Sequence, residues 1–475
     1  MNLWAASHSL MCTSLEKDFI VYIKGRYIVS VCALLFFQHA LATGMDCTKA
    51  ANAVENTICA NKGLYELDTQ MGSAYRTLMN ATSQAQVELK RSQRQWLKVR
   101  NECVEDVACL DQHYRERLQA LYAQWVDAVA YQPDDVDKQV MEDLQQRIQD
   151  LSKDNPEFAL ERALDSMALD SGATSFSGAS GEDEQSLFPK TIPQNVTGDE
   201  WKALKASDID GAAESGQTTY TLMDMDGDGQ RDLIVETYSG GTGMFSYTEP
   251  YRRNEDRFIS TTSGPAHESG SLFHTNDRGA NQSVNWIKVR GKMYFAYRNG
   301  SYGVDQVFLL NPLKINNEVP TLTVRYDYQL TVPHTQYLED GTTPFELDPA
   351  LQMVLAKALI KVNANEALET GQQKTPICPI PSSVQDSDDY YSFGASYYAV
   401  EPVADMPVVI GNECFIARLI NWYGSYSDKD GLFAQLTLRK PGSEDQARSY
   451  SVYGRRHITR VSASIGKAEG GAENF

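Results

Sequence analysis

The chain has 475 residues and a formal charge of −20, with 63 acidic side chains against 43 basic ones. Its length favours two or three domains. So acidic a surface argues against nucleic acid and anionic membranes as partners and favours a basic protein.

Lys24 and Arg26, the apolar run from Tyr27 to Phe37 and the tripeptide Ala40-Leu41-Ala42 have the layout of an export signal spanning 1–42. The apolar run is short for a membrane span. A periplasmic or secreted protein with no membrane span after processing is therefore expected. Removing 1–42 takes Cys12 and Cys32 with it and leaves Cys47, Cys59, Cys103, Cys109, Cys378 and Cys414. An even number of cysteines in an oxidising compartment points to three bridges. Pairing neighbours, 47 with 59, 103 with 109 and 378 with 414, is favoured because the first two pairs are local and bracket helix ends; spacing alone does not fix the connectivity.

Residues 43–170 read as helical. Leu64, Leu67, Met71, Ala74 and Leu78 recur on one helical face, and Trp96, Val99 and Cys103 on another. Glu55 to Cys59 ends a short helix and Asn61 can cap the next. Further helices are predicted from about Gln84 to Glu102, Cys109 to Ala128, Val136 to Leu151 and Pro156 to Ala168. The stretch 171–186, rich in Ser, Gly and acidic residues, has almost nothing to bury and reads as a flexible linker.

Within Asp46 to Trp125 an opening Cys47 is followed by Glu55, Ile58 and Cys59, by Leu67-Asp68 and by Tyr75. Gln93, Trp96, Arg100 and Cys103 come next, then Cys109, Tyr114 and Arg117. This pattern resembles the LprI-type lysozyme inhibitor family. The resemblance implies a non-enzymatic inhibitor acting in the cell envelope, with lysozyme or another basic peptidoglycan hydrolase as partner. Arg94, Lys98 and Arg100 along the long helix are candidates to reach the catalytic carboxylates of such an enzyme. For Arg100, ordinary surface charge or pairing inside the domain with Glu55 and Asp68 is the preferred reading.

Residues 187–475 are β-rich. Strands are predicted at 220–223, 232–237, 284–289, 292–297, 304–310 and 321–330, and again at 406–410, 414–422, 432–438 and 449–455. One helix interrupts them: Asp348-Pro349 has the form of an N-cap followed by an N1 proline, ahead of LQMVLAKALIKV. The expected fold is multidomain α plus β, a disulfide-stapled helical bundle followed by a mainly antiparallel β region.

The strongest local motif is Asp224-Met225-Asp226-Gly227-Asp228-Gly229-Gln230-Arg231-Asp232. Alternate carboxylates in a tight loop can converge on one hard cation, with Asp224, Asp226, Asp228 and Asp232 as side-chain ligands and Gln230 through its carbonyl. Val235 stands where an EF-hand needs its bidentate Glu, and a strand follows. The loop thus resembles the calcium loops between strands of FG-GAP-type repeats, which implies structural calcium. Ser427-Asp428-Lys429-Asp430-Gly431 is a weaker echo and reads as a hairpin turn.

Catalytic patterns are thin. His113, His267, His274, His334 and His457 lie in no metal-protease spacing, and no nucleophile elbow, P-loop or dinucleotide fingerprint occurs. The late aromatics Tyr390, Tyr391, Tyr397, Tyr398, Trp422, Tyr423 and Tyr426 read mainly as cross-strand core. They keep open an alternative function, an envelope module that binds glycan or protein with the helical part as spacer.

Overall fold

The computed structural model describes residues 45–467 apart from 83–85, 170–171, 179–187, 210–216, 241–244, 262–270, 277–281, 339–340, 364–377, 379–399, 423–425, 428, 430, 442 and 444–446. The expected export signal, most of the expected linker, and Tyr390, Tyr391, Tyr397, Tyr398 and Tyr423 lie outside the described residues.

Among the described residues six α-helices come first: α1 (Ala53–Ala60), α2 (Lys62–Ala81), α3 (Gln86–Asn101), α4 (Val107–Val129), α5 (Asp135–Ser152) and α6 (Ala159–Ser166). Local chemistry sets their ends. Asn52, Asn61 and Asp106 each turn a side-chain oxygen onto the free backbone N–H groups that open α1, α2 and α4. Asp134 and Asp137 form a reciprocal capping box at the start of α5.

The helices α1 to α4 share one core, in which Ile58, Leu64, Leu78, Leu110, Tyr114 and Leu121 are among the buried side chains. The helices α5 and α6 do not join it. Val140, Leu144 and Ile148 of α5, with Leu160 and Leu164 of α6, are buried against the large β-sheet instead.

Three antiparallel sheets follow among the described residues. The first has six strands: β1 (Thr174–Ser177), β2 (Gln217–Met223), β3 (Asp232–Gly240), β4 (Phe245–Asn254) and β5 (Arg257–Ser260) in spatial order, with β6 (Phe273–Asn276) also paired to β4. A short helix, α7 (Gly198–Ala206), packs Trp201 and Leu204 against its Tyr220, Leu222, Leu233 and Val235.

The second sheet has eight strands: β7 (Gln282–Val289), β8 (Lys292–Ser301), β9 (Val304–Leu310), β10 (Glu318–Thr331), β13 (Val400–Ile410), β14 (Glu413–Trp422), β15 (Leu432–Arg439) and β16 (Arg448–Lys467). Their spatial order is 13-14-15-16-10-9-8-7. The hairpin β11 (Thr335–Tyr337) and β12 (Pro344–Glu346) stands apart as the third sheet.

The helix α8 (Pro349–Asn363) is capped as expected: the Asp348 carboxylate accepts from the N–H groups of Ala350 and Leu351, each at 3.0 Å. With α5 and α6 it covers one face of the eight-stranded sheet. On β8 the alternate residues Met293, Phe295 and Tyr297 belong to a different core, shared with Met223, Ile234 and Phe273 of the six-stranded sheet.

Within the stretch expected to be linker, Thr174–Ser177 forms an edge strand along β2. Charged side chains reinforce the seam between the helices and the eight-stranded sheet. Glu161 of α6 accepts from Arg298 of β8 at 2.8 Å and from Arg456 of β16 at 2.7 Å. Lys292 of β8 donates to Tyr131 Oη, Asp134 and Asp137 at 2.9, 2.7 and 3.1 Å.

The expected hairpin turn near the second acidic echo is present: Ser427 and Gly431 exchange backbone hydrogen bonds at 3.0 Å. Gly431 has φ +72°, and a Cβ there would lie 2.3 Å from the Gly454 carbonyl oxygen, so only glycine fits.

Candidate functional site

The helical module is stapled at two corners. A disulfide joins Cys47 to Cys59, tying the segment before α1 to the end of that helix. A second joins Cys103 to Cys109 across the turn between α3 and α4. The third bridge, Cys378 to Cys414, anchors to β14. All three are the favoured neighbour pairs.

A polar relay threads the module's interior. Tyr114 donates its hydroxyl hydrogen to Asp68 Oδ1 at 2.7 Å, and Arg100 Nη1 donates to the Tyr114 oxygen at 2.9 Å. The backbone N–H of Met45 donates to Asp68 Oδ2 at 2.7 Å. Arg100 is only 5% exposed and lies over the Trp96 and Tyr114 rings, 5.5 and 5.8 Å from their centroids. Burial pushes the Tyr114 hydroxyl pKa well up, so it stays a proton donor. Beside this relay, Arg117 Nε donates to Gln93 Oε1 at 2.9 Å, and Gln93 Nε2 approaches the Met71 sulfur at 3.0 Å. The residues that made the sequence pattern specific are therefore largely interior: they lock α2, α3 and α4 together.

Residues 47–151 match the family model of the lysozyme inhibitor LprI. Nothing among curated proteins or solved structures matches the chain. The LprI match runs beyond the 46–125 span of the sequence resemblance and takes in α5, the helix that leaves the bundle core for the β-sheet.

With the signature residues inside, the outward chemistry of the LprI domain lies elsewhere. On α3 the exposed positions carry Lys90, Arg91, Arg94 and Lys98, which follow the helical 3.6-residue period along one side. Arg91 pairs with Glu88 on the same helix. Arg94 and Lys98 make no ion pair among the described residues. Val87, 81% exposed, sits at the head of this stripe. The structure thus separates the three cations considered from sequence: Arg94 and Lys98 face outward, and Arg100 turns inward to Asp68, 3.8 Å away. Glu55 is not its partner; it accepts from the Ala51 N–H at 2.7 Å. Lys90 shares the four-residue spacing 90, 94, 98, and Arg91 stands three residues before Arg94, so the sequence carries a signal for both. His113 is only partly exposed, and its backbone carbonyl accepts from the Trp96 indole at 3.2 Å.

The acidic loop joins β2 to β3. Asp224 accepts from the N–H groups of Gly227 and Gly229 at 2.8 and 3.1 Å. Both glycines lie in the left-handed region, at φ +80° and +85°. Among the described residues, Asp224, Asp226 and Asp232 bring carboxylate oxygens within 4.8 Å of one another. Asp228 is exposed and is not among those three carboxylates; its side chain accepts from the Gln230 N–H at 2.7 Å. Asp232 is 2% exposed and accepts from the N–H groups of Met225 and Arg253 at 3.1 and 2.8 Å. Burial, with Asp226 and Asp228 adding to it, pushes its carboxyl up to about 6. Arg252 forms an ion pair with Asp226 and supplies part of the positive charge the cluster calls for.

Proposed function

We propose that this protein is an exported, non-catalytic inhibitor of lysozyme or a related peptidoglycan hydrolase, with the cationic face of α3 as its contact surface. The LprI match over 47–151 supports the inhibitor class, and the outward stripe of Lys90, Arg91, Arg94 and Lys98 carries the choice of face. Glycoside hydrolases work with a pair of carboxyl groups in a cleft. A row of guanidinium and ammonium groups on a rigid helix is complementary to such a pair. The bridges and the interior Asp68–Tyr114–Arg100 relay hold that helix in place before binding, which reduces the ordering cost of association.

The overall charge of −20 works at longer range. It draws a basic enzyme towards the protein, and the attraction fades beyond about 8 Å at physiological ionic strength. Three disulfides fit an oxidising, extracytoplasmic setting. Among the described residues no helix is long and apolar enough to cross a membrane.

The β2–β3 loop fits a structural cation. Its convergent donors are all carboxylate oxygens, the chemistry that hard ions such as calcium select. Asp224, Asp226 and Asp232 would hold the ion, which would neutralise the buried Asp232 and stiffen the loop.

The test is lysozyme clearing of cell walls with the full chain and its Arg94→Glu/Lys98→Glu variant. The intact protein should slow clearing, rising salt should weaken the effect, and the reversal should weaken it at least about tenfold, as for loss of charged anchors at an interface. An intact protein that leaves several lysozyme types unaffected at micromolar excess would overturn the inhibitor reading. Undiminished inhibition by the variant would move the contact off α3.

A further inference from the structure

A cleft of about 780 Å3 opens between the hairpin β11–β12, the first turn of α8 and the ladder of β15 with β16. That volume is in the range of small-ligand sites, roughly 300–1,000 Å3. Its floor follows from strand alternation. Leu432, Ala434, Leu436 and Val452 are buried in the main core, so Phe433, Gln435, Ser451 and Tyr453 turn to the other face. Phe433 stands opposite Tyr453, with ring centroids 5.5 Å apart, and Gln435 opposite Ser451. The wall carries Tyr337 and Phe345, 52% and 36% exposed, beside Leu338 at 51%. Large apolar side chains gathered on one exposed patch mark a binding surface more often than chance placement does.

Gln336 fixes the wall to the floor. It donates to the Ser451 carbonyl at 3.3 Å and accepts from the Ser451 N–H at 2.7 Å. The Gln336 side chain thus pins the hairpin to the β16 backbone.

We infer that this cleft binds an uncharged saccharide chain, as in the amino-sugar strands of a cell wall. A pyranose offers a C–H-rich face that stacks on an aromatic ring and a rim of hydroxyl groups that need planar donors and acceptors. The cleft offers both, with Tyr337 and Phe345 for stacking and Gln435 and Ser449 for the hydroxyl groups. Charge complementarity points the same way. Arg448, Glu346 and Asp348 all line the cleft, and one Asp348 oxygen is already committed to capping α8. No single sign dominates, as suits a neutral ligand, whereas a nucleic acid would meet a chain of charge −20. An apolar peptide would meet polar groups interleaved with each ring. Such a site would keep the inhibitor on the polymer that its target enzyme attacks, and it stands independently of the α3 assignment.

Chitotetraose and insoluble peptidoglycan are the probes, applied to the full chain. Titration should give saturable binding of the oligosaccharide, and the protein should sediment with peptidoglycan. Tyr337→Ala/Phe345→Ala should weaken both by at least about tenfold, as for truncated aromatic anchors, with an unchanged melting temperature because both side chains are exposed. Gln435→Ala, a change in the floor of the cleft, should weaken binding in the same direction. Lysozyme inhibition in solution should be the same for all three proteins. No saturable binding at millimolar oligosaccharide, or equal binding by the double variant, overturns the inference; lost inhibition with glycan binding intact would instead strike at the α3 reading.

Discussion

Tyr114 gives its hydroxyl hydrogen to Asp68 across 2.7 Å while Arg100 donates to the same oxygen at 2.9 Å. This three-residue relay links α2, α3 and α4 in a bundle too small to rely on apolar burial alone, and it places a guanidinium where water does not reach. Arg100→Ala should therefore destabilise the helical module by roughly 3–5 kcal/mol, the usual penalty for stranding one member of a buried charge pair. Tyr114→Phe should cost less, about 1–3 kcal/mol, because it leaves single polar groups unsatisfied. Denaturant unfolding followed by Trp96 and Trp125 fluorescence measures both. An Arg100→Ala transition that overlays the wild type would mean the relay is solvated.

The position of α5 and α6 decides where the chain can be cut. Val140, Leu144, Ile148, Leu160 and Leu164 are buried against the eight-stranded sheet, and Glu161 is paired to Arg298 and Arg456. A fragment ending at residue 170 would expose that apolar face; one ending at Ala130 would not. The longer fragment should self-associate and the shorter one stay monomeric and helical, as read by light scattering and circular dichroism. Monodisperse behaviour of the longer fragment would show that α5 and α6 refold onto the bundle.

What the sequence made legible was local. Asn61 and Asp348 announce their helices because an N-cap acts within three residues, and the neighbour pairing of cysteines follows from short loops. The apolar stripe of α5 was equally plain, but periodicity shows that a face is buried and not which surface buries it. The strand β4 is hidden from pattern reading because Pro250 and three charged residues break its alternation; it survives since Thr248, Pro250 and Tyr251 still find partners on β3. The helix α7 carries a short-range signal of its own. Thr197 and Glu200 form a capping box, visible as T-x-x-E. At the acidic loop the spacing foretold the motif but could not foretell that Asp232, 2% exposed, lies beneath Asp224 and Asp226 while Asp228 turns back onto its own backbone.

Calcium should raise the melting temperature of the β-region by mass action, with a stabilisation near 2.7 kcal/mol when the ion is at 100 times its Kd. Asp224→Asn and Asp226→Ala should abolish the gain. Asp228→Ala should reduce it less, since that side chain is turned to the Gln230 N–H. Arg252→Ala should enlarge it, because the guanidinium paired with Asp226 competes with a cation. Calorimetry with and without millimolar calcium checks all four, and a wild-type melting curve indifferent to calcium would refute the cation assignment.

Glu200 ties α7 to the same loop from the opposite side. Its carboxylate accepts from Arg231 Nε and Nη2 at 2.8 and 2.7 Å and from the Thr197 N–H at 2.8 Å. Burial alone would raise its pKa, but the hydrogen bonds from Arg231 and Thr197 outweigh that and hold it down to about 2. A carboxylate whose folded pKa lies below its unfolded value binds fewer protons when folded, so its stabilisation is complete above about 4.5 and drains away as pH falls towards 2. Glu200→Gln should therefore melt below the wild type by a constant margin from pH 7 to about 5, and that margin should shrink below pH 4. Scanning melting temperature against pH for both proteins reads the effect directly. A margin that stays unchanged down to pH 3 would show that Glu200 gains nothing from ionisation and that Arg231 holds α7 by geometry alone.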